Sequence, residues 1–272
     1  VTTANAAAHD AAALAAGLPR LLLAAERLAH VAAPGAHGRR RAGPGESFWQ
    51  FRDFRDGDDS RRIDWRRSAS GDRFLVRERE WEAQASVAVR LHDNPGLNFR
   101  SQPNLPSKRE RAILLLLAVT SLLLDAGERV ALAGVTPPMT GRLALRRIAE
   151  ALITGGAARP DPKARQIAFG DFLTPEPVFA APPGGAVVQV LDPAECDFPY
   201  AGRVLFTGYA AETPIEAPRA ESVAAAYRDR LAAQKAAIAA AAQRAGQTPL
   251  FHRTDVSPAT VLAALHQALA GV

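Results

Sequence analysis

Residues 86–135 read SVAVRLHDNPGLNFRSQPNLPSKRERAILLLLAVTSLLLDAGERVALAGV, and their pattern decides the fold class. Ser86–His92 is a short apolar run of strand character. Ser107–Ala126 is a leucine-rich helix stopped by Gly127, and Arg129–Val135 is the next strand. Within that helix Ala112–Leu124 is an uncharged run of 13 residues, apolar but for Thr120 and Ser121, short of the roughly 18 that a membrane span requires. The run is read as a helix between a sheet and neighbouring helices, a position that is apolar nearly all round.

The alternation continues toward the C-terminus. Leu143–Ile153 is a short helix ending at Gly155-Gly156, and Gln166–Phe169, Ala186–Leu191 and Arg203–Phe206 are further strands. Glu221–Arg244 is a long helix with Val223, Tyr227, Leu231 and Ile238 on one stripe, and Leu250–His252 is a last strand. Ser257-Pro258 supplies an N-cap and a first-turn proline for a helix through Leu269. Strands alternating with helices predict an α/β fold, its mostly parallel sheet covered on both faces.

Toward the N-terminus, Leu14, Leu18, Leu21, Leu22 and Leu28 share one face of a helix over residues 10–32. Pro19 either kinks that helix or begins it. Between it and Ser86 lies Gly38–Glu82, with 12 Arg and 10 acidic residues in 45 positions. Trp49, Trp65 and Trp81 argue against a linker there, and Trp65 and Trp81 are read as buried anchors. The expected organisation is an N-terminal helix (1–36), a charged segment packed on the core (37–85) and the α/β domain (86–272).

Composition narrows the function classes. With 48% hydrophobic and 22% charged residues, 272 residues bury a full globular core. One cysteine, Cys196, excludes an internal disulfide and any zinc site built on several thiolates. Thirty of the 33 basic residues are Arg, which with abundant Ala and Pro points to a GC-rich bacterial coding sequence. The net charge of +5 invites a nucleic-acid reading, yet Gly38–Glu82 nets only +2 because Asp and Glu are interleaved with its Arg. The remainder is diffuse apart from a basic knot at Arg100, Lys108, Arg109 and Arg111. Neither a signal peptide nor an anchor is read, so a cytoplasmic protein is expected, with Val1 a non-ATG start or a trimmed end.

The segment HGRRRAGPGESFWQFRDFRDGDDSRRIDWRRSASGDRFLVREREWE, His37–Glu82, resembles the signature of the bacterial domain-of-unknown-function 58 family. The likeness rests on Gly45, Glu46, Phe48, Arg52, Gly57, Asp58, Asp59, Arg62, Ile63, Asp64, Trp65, Ser68 and Ala69. Phe54 stands where the family has tyrosine, and Ser47 is an extra residue. Downstream, Gly127–Val130, Asp171–Leu173 and Leu191–Glu195 resemble later family segments. The resemblance implies a von Willebrand factor A-like, Rossmann-like domain. It further implies partnership with a MoxR-type AAA+ ATPase in assembly or maturation of an unknown client protein.

Such domains often hold a divalent cation on an Asp-x-Ser-x-Ser loop, a threonine and a later aspartate, hard oxygens suited to Mg²⁺. Here the loop reads His92-Asp93-Asn94-Pro95-Gly96-Leu97. Anchoring on Asp93 puts Pro95 and Leu97 where serines belong, and sliding by one gives His92, Asn94 and Gly96. Thr136 or Thr140 stands for the threonine and Asp171 for the later aspartate. The expectation is a degenerate site, remnant Asp93, Thr136 and Asp171, without a tightly bound metal; weak Mg²⁺ binding is the remaining option.

No constellation commits the chain to catalysis. Asp58, Asp59 and Asp64, beside Asp53, Asp56 and His37, offer a metal-assisted hydrolase as the alternative. Pairing of those carboxylates with Arg52, Arg55, Arg61, Arg62, Arg66 and Arg67 is the reading the interleaving favours. Cys196 lies between Glu195 and Asp197, which oppose a thiolate, and no phosphate-cradling Gly-x-x-x-x-Gly-Lys loop is present. A non-enzymatic protein-interaction module without a cofactor, with no nucleic-acid partner and no membrane span, is expected.

Overall fold

The computed structural model describes residues 2–32, 48–55, 63–69, 73–79, 86–173, 182–208 and 213–270. The chain divides into two compact units, residues 1–34 with 86–272, and residues 35–85. Helix α1 (Thr2–Ala32) opens the first unit and continues on both sides of Pro19, so the proline does not begin it. Proline removes a donor to the carbonyl four residues back, and here both Pro19 and Ala15 are exposed. The missing bond therefore faces water.

The smaller unit is built on an antiparallel pair, β1 (Phe48–Asp53) and β2 (Leu75–Arg79), with one helical turn, α2 (Trp65–Ser68), between them in sequence. Asp64 accepts from the Arg67 amide at 3.2 Å and so caps α2. Ser68, buried, donates its hydroxyl to the Asp64 carbonyl at 2.8 Å and accepts from the Leu75 amide at 2.9 Å. The Asp64 amide donates to the Leu75 carbonyl, which completes a latch between the turn and β2.

The larger unit carries a five-stranded sheet of β3 (Ser86–His92), β4 (Arg129–Leu132), β5 (Arg165–Gly170), β6 (Ala186–Leu191) and a C-terminal strand, Thr248–Arg253. Between β6 and that last strand, β7 (Val204–Phe206) and β8 (Ile215–Ala217) form a separate antiparallel pair; the last strand is β9. The sheet order is β4-β3-β5-β6-β9, and every pairing in it is parallel. The helices are α3 (Lys108–Asp125), α4 (Arg142–Thr154), α5 (Pro193–Asp197), α6 (Ala224–Arg244) and α7 (Pro258–Ala270). This is a Rossmann-like arrangement, a parallel sheet flanked by helices with an N-terminal helix added.

Alternation along the strands sorts the two faces. Val87, Val89, Val130, Leu132, Ile167, Phe169 and Val188 form one core with the buried sides of α1, α3, α4 and α7. Within it α3 touches the sheet and also α1, α4 and α7, so Ala112, Ile113 and Leu115–Val119 are all buried. That position explains an apolar run without a membrane, and no helix among the described residues is long and apolar enough to cross one. On α1, Leu18, Ala25, Ala29 and Ala32 are buried at helical spacing.

On the opposite face the described residues form both a packed region and a cleft. Ala168 and Val187 pack with Ile238 and Ala242 of α6, whereas Ala88, Ala131, Arg90 and Arg159 line a cleft of about 290 Å³. The strand expected at Arg203–Phe206 lies outside the main sheet. Its Phe206 joins Phe198, Tyr200 and Tyr227 in an aromatic cluster, and its residues are only half-buried or exposed, unlike an interior parallel strand. Trp65, expected as a buried anchor, is 60% exposed and stands edge-on to Phe74 at 5.8 Å. Trp49 lies in β1, and Trp81 lies outside the described residues.

Two glycine substitutions are expected to have opposite signs. A Cβ on Gly185 would sit 2.0 Å from the Gln166 carbonyl oxygen, whereas one on Gly17, inside α1, meets nothing within 4 Å. Thermal unfolding should show Gly185→Ala destabilised by about 2 kcal/mol or more. Gly17→Ala should be stabilised by up to about 1 kcal/mol.

Candidate functional site

Parallel strands place all their carboxyl ends on one edge of the sheet. The chain leaves β3 outward to β4 and then crosses back to β5 on the other side of β3. The crevice at such a reversal, between β3 and β5, is where open α/β sheets bind ligands. At their ends His92 and Gly170 are paired, and a Cβ on Gly170 would lie 2.7 Å from the His92 Cβ. Glycine is needed there for the two strands to close up.

The loop after β3 turns through a short 3-10 helix, Pro95–Asn98, capped by Asn94, whose side-chain oxygen accepts from the Gly96 amide at 2.8 Å. The Asn94 side-chain amide donates to Asp171 Oδ1 at 2.8 Å. Asp171 immediately follows β5 and is 0% exposed. Its Oδ1 also accepts from the Leu173 amide, and its backbone carbonyl accepts from Gln189 Nε2. Phe172 takes a left-handed φ of 52° to make this turn, an unusual conformation for a bulky residue.

After β6, Asp192 caps α5 and exchanges bonds with Glu195 in a capping box. Asp192, fully buried, also accepts from the Ser101 amide at 3.0 Å, tying the β6 loop to the β3 loop. Into this edge the first turn of α3 sends three cations. Lys108, 1% exposed, reaches Glu195 Oε1 at 2.6 Å and Asp171 Oδ2 at 3.3 Å. Arg109 pairs with Asp93. Arg111, buried, donates to the carbonyls of Thr254 at 2.8 Å and Val256 at 2.9 Å, and to His252 Nε2 at 3.2 Å.

Guanidinium has no acceptor, so His252 Nε2 must accept and carry no proton. Burial, followed by the charge of Arg111, pulls His252 down to about 4, and Asp255 opposes this only in part. Arg253 forks onto Asp197 and Asp255, which holds the Asp255 carboxyl below its ordinary range. Cys196 is held toward its thiol form first by burial and then by Glu195 and Asp197, against Arg253 and Lys235.

The residues expected to mark a degenerate cation site are thus placed, and each is engaged within the chain. Asp93 serves Arg109, and Asp171 serves Lys108 and Asn94. The Thr136 hydroxyl accepts from the Leu132 amide at 2.8 Å and closes the turn after β4. No three His, Cys, Asp or Glu side chains among the described residues are grouped so as to hold a metal ion. These residues do not fit a divalent cation.

The basic knot read at Arg100, Lys108, Arg109 and Arg111 is not one surface patch, since Lys108 and Arg111 are buried while Arg100 is exposed. Of the signature residues, Gly45, Glu46, Gly57, Asp58, Asp59 and Arg62 lie outside the described residues, as do His37, Asp56 and Arg61. Phe48 and Arg52 lie in β1, Ile63 precedes the capped turn, and Trp65 opens it. Asp64 and Ser68 form the latch onto Leu75, and Asp53 pairs with Arg73 at 3.2 Å. Sequence reasoning missed Glu195 and Asp192 as site residues; the Asp192-Pro193-x-Glu195 spacing was the signal for their capping box.

A family model described as protein of unknown function DUF58 matches residues 50–237, more than half of the chain. Comparison with the curated proteins and with the solved structures finds no match.

The His252 environment predicts acid sensitivity. Its folded value of about 4 lies below the ordinary 6.5, so between these values the unfolded chain binds the extra proton. Stability should therefore fall as pH drops from about 6.5 to about 4, by about 3 kcal/mol from this group. Thermal melts across that range should show a shallower acid limb for His252→Gln, whose amide oxygen accepts from Arg111 without titrating.

Proposed function

Because the chain belongs to the DUF58 family, we propose that it is a non-enzymatic interaction module working with a MoxR-type AAA+ ATPase. On this reading a von Willebrand factor A-like domain presents a client protein in the cytoplasm for assembly or maturation. The observation that carries it is the state of the carboxyl edge at the strand reversal. There Asp93, Asp171, Asp192 and Glu195 are engaged by Arg109, Lys108 and backbone amides of the same chain. Carboxylates spent on such bonds shape a surface and hold it rigid. That suits docking better than acid–base work, which needs a group free to exchange a proton with a substrate.

Affinity copurification of the full chain from its native host, with and without ATP, tests the proposal. Recovery of an AAA+ ATPase whose yield depends on nucleotide is the expected outcome. Absence of any ATPase under both conditions would overturn it.

A further inference from the structure

Beside the region packed by α6, the same face of the sheet is lined by small residues. Ala88 pairs with Ala131 of β4 and with Gln166 of β5, and Arg90 pairs with Ala168. The cleft of about 290 Å³ over these strands therefore has a floor of methyl groups, and Pro160, Pro162 and Pro182 add rigid rings to its lining. Two guanidiniums enter it, Arg90 from β3 and Arg159 from the segment before β5. Arg90 is half-buried, and its Nε is shut off from solvent without a hydrogen-bond partner. A guanidinium has five donors and no acceptor, so that buried N–H is a standing cost until an acceptor meets it. Arg159 is exposed and forms no ion pair among the described residues. Asp161, the one carboxylate on the lining, is spent elsewhere: it accepts from the Ser86 hydroxyl at 2.5 Å and from the Lys163 amide at 2.9 Å. Those two bonds hold its carboxyl below its ordinary range, with Arg129 and Lys163 as the charges that act on it. Two positive groups thus stand over an apolar floor without a counter-charge of their own.

We propose that this cleft binds a small organic anion, a carboxylate or phosphate head on a short apolar body, with Arg90 and Arg159 on the head and the alanine floor under the body. A guanidinium fork matches either head with two parallel hydrogen bonds, one of which would use the stranded Nε. An apolar pocket with a few convergent polar groups is the usual form of a small-molecule site, the polar groups fixing orientation. The proposal uses none of Asp93, Asp171, Asp192 or Glu195. It goes beyond the interaction-module reading and does not depend on it.

The test is titration of the full chain, followed by ligand-observed NMR, with phenylacetate, hexanoate and phenyl phosphate. Phenylacetamide, hexanamide and inorganic phosphate are the controls for charge without an anion and for an anion without an apolar body. At least one organic anion should bind saturably, about tenfold or more tighter than its control, and the carboxylate and phosphate arms identify the head. Arg90→Met keeps an apolar stem and should weaken that binding roughly tenfold or more, with the melting temperature unchanged or raised. Ala131→Leu, which fills the floor, should abolish it. If Arg90→Met does not fold, Arg159→Ser at the exposed side carries the same comparison. Amides that bind as well as the acids, inorganic phosphate that binds as well as its phenyl ester, or a panel in which nothing binds overturns the proposal. So does binding that persists unchanged in the folded variants.

Discussion

A buried ammonium between two carboxylates fixes the carboxyl edge of this sheet. Lys108 belongs to α3, Asp171 to the turn after β5 and Glu195 to α5, so one side chain joins elements 63 and 87 residues away. Burying ions is costly, and such a cluster contributes less to net stability than its short distances suggest. Removing a single partner is a different matter, since it strands a charge in the interior at a cost of roughly 3–5 kcal/mol. The cluster thereby discriminates against arrangements in which α3 is shifted or a loop is repositioned.

The same helical turn carries that discipline to the neighbouring loops. Arg111 satisfies the carbonyls of Thr254 and Val256 after β9, and Arg109 holds Asp93 after β3. The Ser107–Glu110 capping box satisfies amides that the start of α3 would leave unpaired. Four consecutive loops at one edge are thus tied to the first turn of a helix whose remainder is buried in the main core. Loop geometry and core packing are one structural problem in this protein.

The fold was largely legible because it rests on local patterns. Ser86–His92 and Ala186–Leu191 are strands at the expected residues, and Ser107 caps the leucine-rich helix. Val204–Phe206 has strand propensity too, but only tertiary context sends it to an antiparallel pair beside an aromatic cluster. The site was less legible. Lys108 reads as surface charge beside Arg109 and Arg111, since nothing within its own helix signals carboxylates that the topology delivers from β5 and β6. Asp64 and Ser68 are the opposite case. Their spacing of four residues is that of a capped turn, so part of the family signature encodes a local latch that draws in Leu75.

The division of the chain has a consequence for its biosynthesis. Helix α1 ends at Ala32, whereas α3, on which it packs, begins at Lys108. A ribosome therefore completes the whole of residues 35–85 before the surface that receives α1 exists. Isolated helices are marginal in water, so α1 waits as an unanchored segment. The smaller unit has the opportunity to fold first, and docking of α1 onto α3 then completes the packing of the larger unit.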